Sequence, residues 1–160
     1  EKQIKVNRIV TTNIGHARAI DDPARAKIVE ILYHQALSAD QISTALKKTG
    51  YKKALTTVRH HLEILKVSGL IEIARIEESR GAITKFYSTS TKLLDFQTPE
   101  DFDSTYSKII NNTSTKIEKL VKGLTPKTTK GKKSVEYSQY IVMEIMNRAM
   151  TNVLEKSGPK

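Results

Sequence analysis

The chain contains no cysteine and no tryptophan. Without thiols, disulfides, thiolate metal sites and cysteine nucleophiles are excluded, and an intracellular setting is allowed. Long apolar runs are also missing. None approaches the roughly 20 residues that cross a bilayer, and Glu1–Val10 lacks the apolar core of a secretion signal. The expectation is a cytoplasmic, nucleoid-associated protein with no membrane partner. Catalytic patterns are absent too: there is no Ser, His and Asp arrangement, no phosphate-binding glycine loop and no nucleophile elbow. His16, His34, His60 and His61 form neither an HxxxH pair nor a His–carboxylate pattern with zinc spacing. These absences argue against an enzyme, a metal site and any cofactor.

Acidic residues are in deficit, with 17 Asp and Glu against 27 Lys and Arg, for a formal charge of +10. Such a surplus favours a polyanionic partner through phosphate neutralisation and counterion release, although it also serves as a solubility device. Hydrophobic residues make up 38% and aromatics 6% of the 160 positions. That composition describes a soluble, mainly helical domain with appended elements.

Glu1–Thr12 alternates Ile4, Val6 and Val10 with polar residues and fits a strand, a helix start or a basic arm equally. A short helix is expected over Ile14–Ile20. Asp21-Asp22-Pro23 then supplies a capping carboxylate and a proline at the first helical position, predicting a helix from Pro23 to about Gln35 with Ile28, Ile31 and Leu32 inward. Ser38-Ala39-Asp40-Gln41 fits a capping box opening a helix that carries Ile42, Ala45 and Leu46. Lys47–Lys53 reads as a basic loop. Val58, Leu62 and Leu65 mark another helix that stops near Gly69, and Leu70–Ile76 and Ala82–Ser88 read as a hairpin around Glu78-Ser79-Arg80-Gly81.

This order is that of a winged helix-turn-helix, whose third core helix enters a major groove. Two segments carry a family resemblance: Ala19-Ile20-Asp21-Asp22-Pro23-Ala24-Arg25 continuing through Leu32, and Thr57-Val58-Arg59-His60-His61-Leu62 continuing through Ile71. They resemble the ArsR-like (arsenic-repressor-like) winged-helix transcription regulators of bacteria and archaea, over about Ala17–Ser88. The resemblance implies a DNA-binding homodimer, with repression as the usual sign. The chain departs from the family in a longer turn between Leu46 and Val58 and in having Ala54 and Leu55 where a polar cap and a polar base reader are common. With no thiols, a thiol-based arsenic, cadmium or lead response is not implied, and any effector is unknown.

A helical wheel turns Val58, His61, Leu62 and Leu65 inward and leaves Thr56, Thr57, Arg59, His60 and Glu63 outward. Those five are the candidate base readers, with Arg59 suited to guanine O6 and N7; a plain solvated face is the alternative. Lys47, Lys48, Lys52, Lys53, Arg59 and Lys66 crowd this region against the single acid Glu63. Lys48, Lys52 and Lys53 suit phosphate. On the wing, Arg75, Arg80 and Lys85 suit phosphate or a narrow minor groove, while Glu72, Glu77 and Glu78 equally suit an ordinary charged hairpin.

Beyond Leu94 an acidic stretch precedes Tyr106, Ile110, Thr113, Ile117, Leu120 and Leu124, spaced as in a coiled coil. Thr125–Ser134 reads as a linker. A last helix over about Val135–Glu155 carries Val142, Ile145, Met146, Ala149 and Val153. The expected architecture is a mainly α fold with a small β-hairpin wing, with a winged helix-turn-helix domain over 13–94 and helices over 95–156. A dimer interface is expected at Tyr106, Ile110, Ile117, Leu120, Leu124, Val142, Met146, Ala149 and Val153, against the alternative of a self-covering helical hairpin. The function these readings favour is a dimeric transcription regulator on double-stranded DNA. An architectural DNA binder, for which Lys127, Lys130, Lys132 and Lys133 would serve, and a winged-helix protein-interaction module are the other classes.

Overall fold

Side-chain caps open the first helices. Asn13 Oδ1 accepts from the Gly15 N–H at 2.7 Å to start α1 (Ile14–Ile20), and Asp22 Oδ1 accepts from Ala24 and Arg25 to start α2 (Pro23–Ile31) with Pro23 in its first turn. The structure is a computed structural model in which residues 13–124 and 134–156 are described, less the side chains of 124 and 134–136. The readings of residues 1–12, of the linker up to residue 133 and of the lysine cluster at 127–133 lie outside them.

The second helix ends sooner than its sequence suggests. Leu32 is its C-cap, His34 takes φ 62°, and Tyr33 bridges to Thr89, so the chain leaves helical geometry to join the sheet. It forms β1 (Leu37–Ser38), and Ser38 then caps α3 (Ala39–Lys48). The capping box is complete: Ser38 Oγ accepts from the Gln41 N–H at 3.3 Å, and Gln41 Oε1 accepts from the Ser38 N–H at 2.9 Å. Gly50, at φ 92°, lets the Tyr51 N–H return to the Leu46 carbonyl at 3.0 Å and packs Tyr51 on the core. The connection to α4 (Leu55–Val67) is therefore Thr49–Ala54, and Lys47 and Lys48, expected in the loop, belong to α3.

Gly69, at φ 78°, ends α4, and Leu70 and Ile71 drop into the core before β2 (Glu72–Ser79) begins. β2 pairs antiparallel with β3 (Ala82–Ser88), and β1 pairs with the other edge of β3, giving the order β1-β3-β2. The hairpin loop is tighter than the four residues expected. Ser79 pairs with Ala82, so only Arg80 and Gly81 turn the chain, both with positive φ.

One core joins these elements. Ala19, Ile28, Val29, Leu32, Ile42, Leu46, Val58, Leu62, Leu65, Leu70 and Ile71 form a single cluster from α1 to the start of the wing. Val29 is fully buried where Ile31 was expected to be; Ile31 only flanks the cluster. The helices α2, α3 and α4, with a turn before α4 and the β2–β3 hairpin after it, make this a winged helix-turn-helix.

The chain divides into two compact units, one over Thr12–Phe96 and one from Gln97 onward. The second contains α5 (Phe102–Thr105), α6 (Ser107–Leu124) and α7 (Ser134–Lys156). No described side chain from α5 to α7 is buried. Among the described residues no helix is long and apolar enough to cross a membrane.

Candidate nucleic-acid interface

Among the described residues, α4 is held from one side only. Val58, His61, Leu62 and Leu65, the four positions the wheel turned inward, are its buried residues. Their common face leaves Thr56, Arg59, His60 and Glu63 exposed on the opposite side, while Thr57 turns toward the flank and is half-buried. Thr57 is thus the least outward of the five candidate readers. Ala54 is the N-cap of this helix and brings no capping side chain, so among the described residues the first-turn N–H groups of α4 lack a side-chain cap.

Charge collects around this face. Lys52 and Lys53 stand exposed on the approach to α4, and Lys48 is exposed at the end of α3. Lys66 Nζ lies 2.7 Å from Glu63 Oε2, and that hydrogen bond raises the Lys66 pKa above its ordinary value. The one acid of the region is thereby engaged by a lysine one turn along. Such an exposed pair contributes little to stability, but it offsets the carboxylate that would otherwise repel phosphate. His60 and Glu63 also line, with Gly15, Arg18, Ala19, Ile64, Val67 and Ser68, an open groove of about 480 Å³ between α1 and α4.

Behind α4, His61 is buried and its Nδ1 lies 3.5 Å from Arg25 Nη1. Burial pushes the ring's pKa below its ordinary value. Burial acts to raise the Asp22 carboxyl, but the N–H groups of Arg25 and Ala24, with the charge of Arg25, outweigh it and hold the group below the usual carboxylate range.

The three cationic wing candidates differ. The Arg75 guanidinium sits 3.7 Å from the centroid of the Phe86 ring and is ion-paired with Glu77, so it is committed inside the wing. Lys85 is exposed opposite Ile76 on the other face of the hairpin. Arg80 is at the tip with φ 50°. A left-handed backbone is unfavourable for a residue with a β-carbon, and here it carries a cation at the most projecting point of the wing.

No protein-family model matches the chain, and no curated protein matches it. A solved structure is similar. It is the homodimeric winged helix-turn-helix DNA-binding domain, fragment 1–100, of a possible ArsR-family transcriptional regulator from Mycobacterium bovis, 20% identical over 64% of this chain and 78% of that one, with a TM-score of 0.36. The fold assignment rests on the chain's own elements.

The expected dimer residues divide in the second unit. Ile117, Leu120, Val142 and Met146 converge, together with Val121 and Ile145, on an apolar pocket of about 400 Å³ between α6 and α7. Val121 was not anticipated, yet the four-residue step from Ile117 reaches it as directly as the three-residue step reaches Leu120. Tyr106 lies outside α6: it closes α5, with its ring 4.7 Å from that of Phe102. Ile110, Ala149 and Val153 are exposed and do not line the pocket, and the Leu124 side chain is outside the described set.

Proposed function

We propose that this protein is a DNA-binding transcription regulator, acting as a homodimer and without catalytic activity. The observation that carries this reading is the one-sided support of α4: four buried residues fix its rotation, and Thr56, Arg59 and His60 project beside the exposed Lys52 and Lys53. That is the arrangement a major groove requires, with donors toward base edges and lysines at the flanking backbone. Repression by occluding polymerase is the regulatory sign this reading adopts, in a cytoplasmic, nucleoid-associated protein.

Self-association is supported by α6 and α7. Ile110 is 40% exposed, Leu120 59% and Ile145 41%, so the apolar stripes of these helices are left partly uncovered by the described residues. A second copy related by two-fold symmetry covers both stripes at once and sets two α4 helices for half-sites about one DNA turn apart.

Selection of bound duplexes from random DNA tests the reading, followed by Arg59→Ala and Lys53→Ala on the selected site. Arg59→Ala should cost roughly 1–3 kcal/mol and relax discrimination, whereas Lys53→Ala should weaken all sequences alike and flatten the salt slope by about one. Selection that returns no motif, with uniform coverage of DNA, would make the protein an architectural binder. Weak binding with a shallow salt slope would make it a protein-interaction module.

A further inference from the structure

Arg25 is where three helices meet. Its Nε donates to the Ala19 carbonyl and its Nη2 to the Arg18 carbonyl at 3.3 Å, both at the end of α1, while Nη1 lies 3.8 Å from the Asp22 carboxylate and 3.5 Å from His61 Nδ1 on α4. One guanidinium thus ties α1, the N-terminus of α2 and the buried side of α4. His61 is the α4 member of this junction. Its relative exposure is 6%, and its Nε2 is enclosed with no hydrogen-bond partner among the described residues.

The donor inventory decides the state of the ring. A guanidinium offers only N–H donors, so Nδ1 must present a lone pair, and the proton of the neutral ring is on Nε2. Protonation would set a second N–H against the guanidinium and bury an imidazolium whose Nε2–H is also unpaired. Asp22 attracts that cation, while Arg25, Lys53 and His60 repel it; burial acts in the same direction as the repulsion and is the largest influence.

We propose that His61 is a positioning residue for α4: its neutral ring, seated on Arg25, holds the helix against α1 and α2, and protonation of the ring unseats it. The functional meaning rests on the DNA-reading role of α4; the latch itself does not. Above pH 6.5, the ordinary value for the ring, His61 is neutral whether α4 is seated or released, and seating is at full strength. Below it, the released ring takes up a proton that the seated ring refuses. Seating therefore weakens as pH falls through 6.5, by up to about tenfold for the first pH unit, and levels off at the seated ring's own lower value.

The test is amide hydrogen exchange of α4 in the full chain at neutral pH and near pH 5.5, for wild type, His61→Gln and His60→Gln. Protection factors correct for intrinsic exchange. In wild type and His60→Gln the α4 amides should lose protection by up to about tenfold in acid, and in His61→Gln protection should not change. An acid loss that His61→Gln retains, or no loss in wild type, overturns the proposal. If His61→Gln does not fold, NMR titration of the wild-type imidazoles decides: a His61 midpoint below 6.5 supports the latch, and one at or above 6.5 overturns it. Fluorescence anisotropy of a labelled random-sequence duplex with wild type at neutral pH separates the two claims. Absence of binding there removes the DNA-reading role of α4, while the exchange data still decide the latch.

Discussion

Replacing Arg80 with Asn should make the protein more stable and bind DNA less well. Arg80 and Gly81 form a two-residue turn with φ 50° and 77°, between paired Ser79 and Ala82. Turns of this kind favour Asn-Gly, because Asn tolerates the left-handed region that costs other residues with a β-carbon roughly 1–2 kcal/mol. Arg80→Asn should relieve about 1 kcal/mol. In a cooperative domain of this size that amounts to about 4–8 °C in Tm, read by circular dichroism. The same change removes the cation at the wing tip, so DNA affinity should fall and the slope of log K against log salt should flatten by about one. Arg80→Lys is the control, since it retains both charge and strain and should alter neither Tm nor slope. A variant that gains stability with an unchanged salt slope would show that the wing tip does not touch phosphate. No gain in Tm would refute the strain argument itself.

Ile117→Glu places a carboxylate in the apolar pocket between α6 and α7, at a cost of several kcal/mol unless it finds water; light scattering should show the dimer dissociating, with circular dichroism unchanged for the winged-helix unit. A wild type that is monomeric at micromolar concentration would end the dimer reading. Ser38→Ala removes one half of the α3 capping box and should lower stability by about 1 kcal/mol in urea unfolding. Zinc, cadmium or arsenite should leave DNA affinity unchanged in a titration, because the chain has no cysteine; a specific tenfold loss with any one of them would contradict that.

What the sequence made legible was local. The inward set of α4 follows from the 3.6-residue period alone, and the Ser38–Gln41 box and the Asp22-Pro23 start involve residues three apart or fewer. Features that depend on distant partners were not legible. β1 is two residues long and exists because Leu37 and Ser38 find Tyr87 and Phe86 across the fold, and the same pairing region draws Tyr33 out of α2. For Arg75 the pattern left a phosphate contact and an ordinary charged hairpin equally open, and cross-strand register sets it over Phe86. The Arg25–His61 junction joins residues 36 apart in sequence, and no helical wheel drawn for one element could reveal it. In the C-terminal helices the expected stripe only partly coincides with the pocket, which takes Ile117, Leu120, Val142 and Met146 but not Ile110, Ala149 or Val153, and Tyr106 falls before α6 starts because it closes the short turn of α5.

Among the described residues, the order β1-β3-β2 leaves β2, eight residues long, with one unpaired backbone edge. Such an edge is a template on which another chain can add a strand. β2 carries its own deterrents. Glu72, Arg75, Glu77 and Glu78 put charge along most of its length, and the register shift between Ile73 and Arg75 kinks the strand near its base. A docking strand would have to bury those charges and follow the kink. The glutamates of β2 thus guard the wing against edge-to-edge strand pairing with another copy of itself.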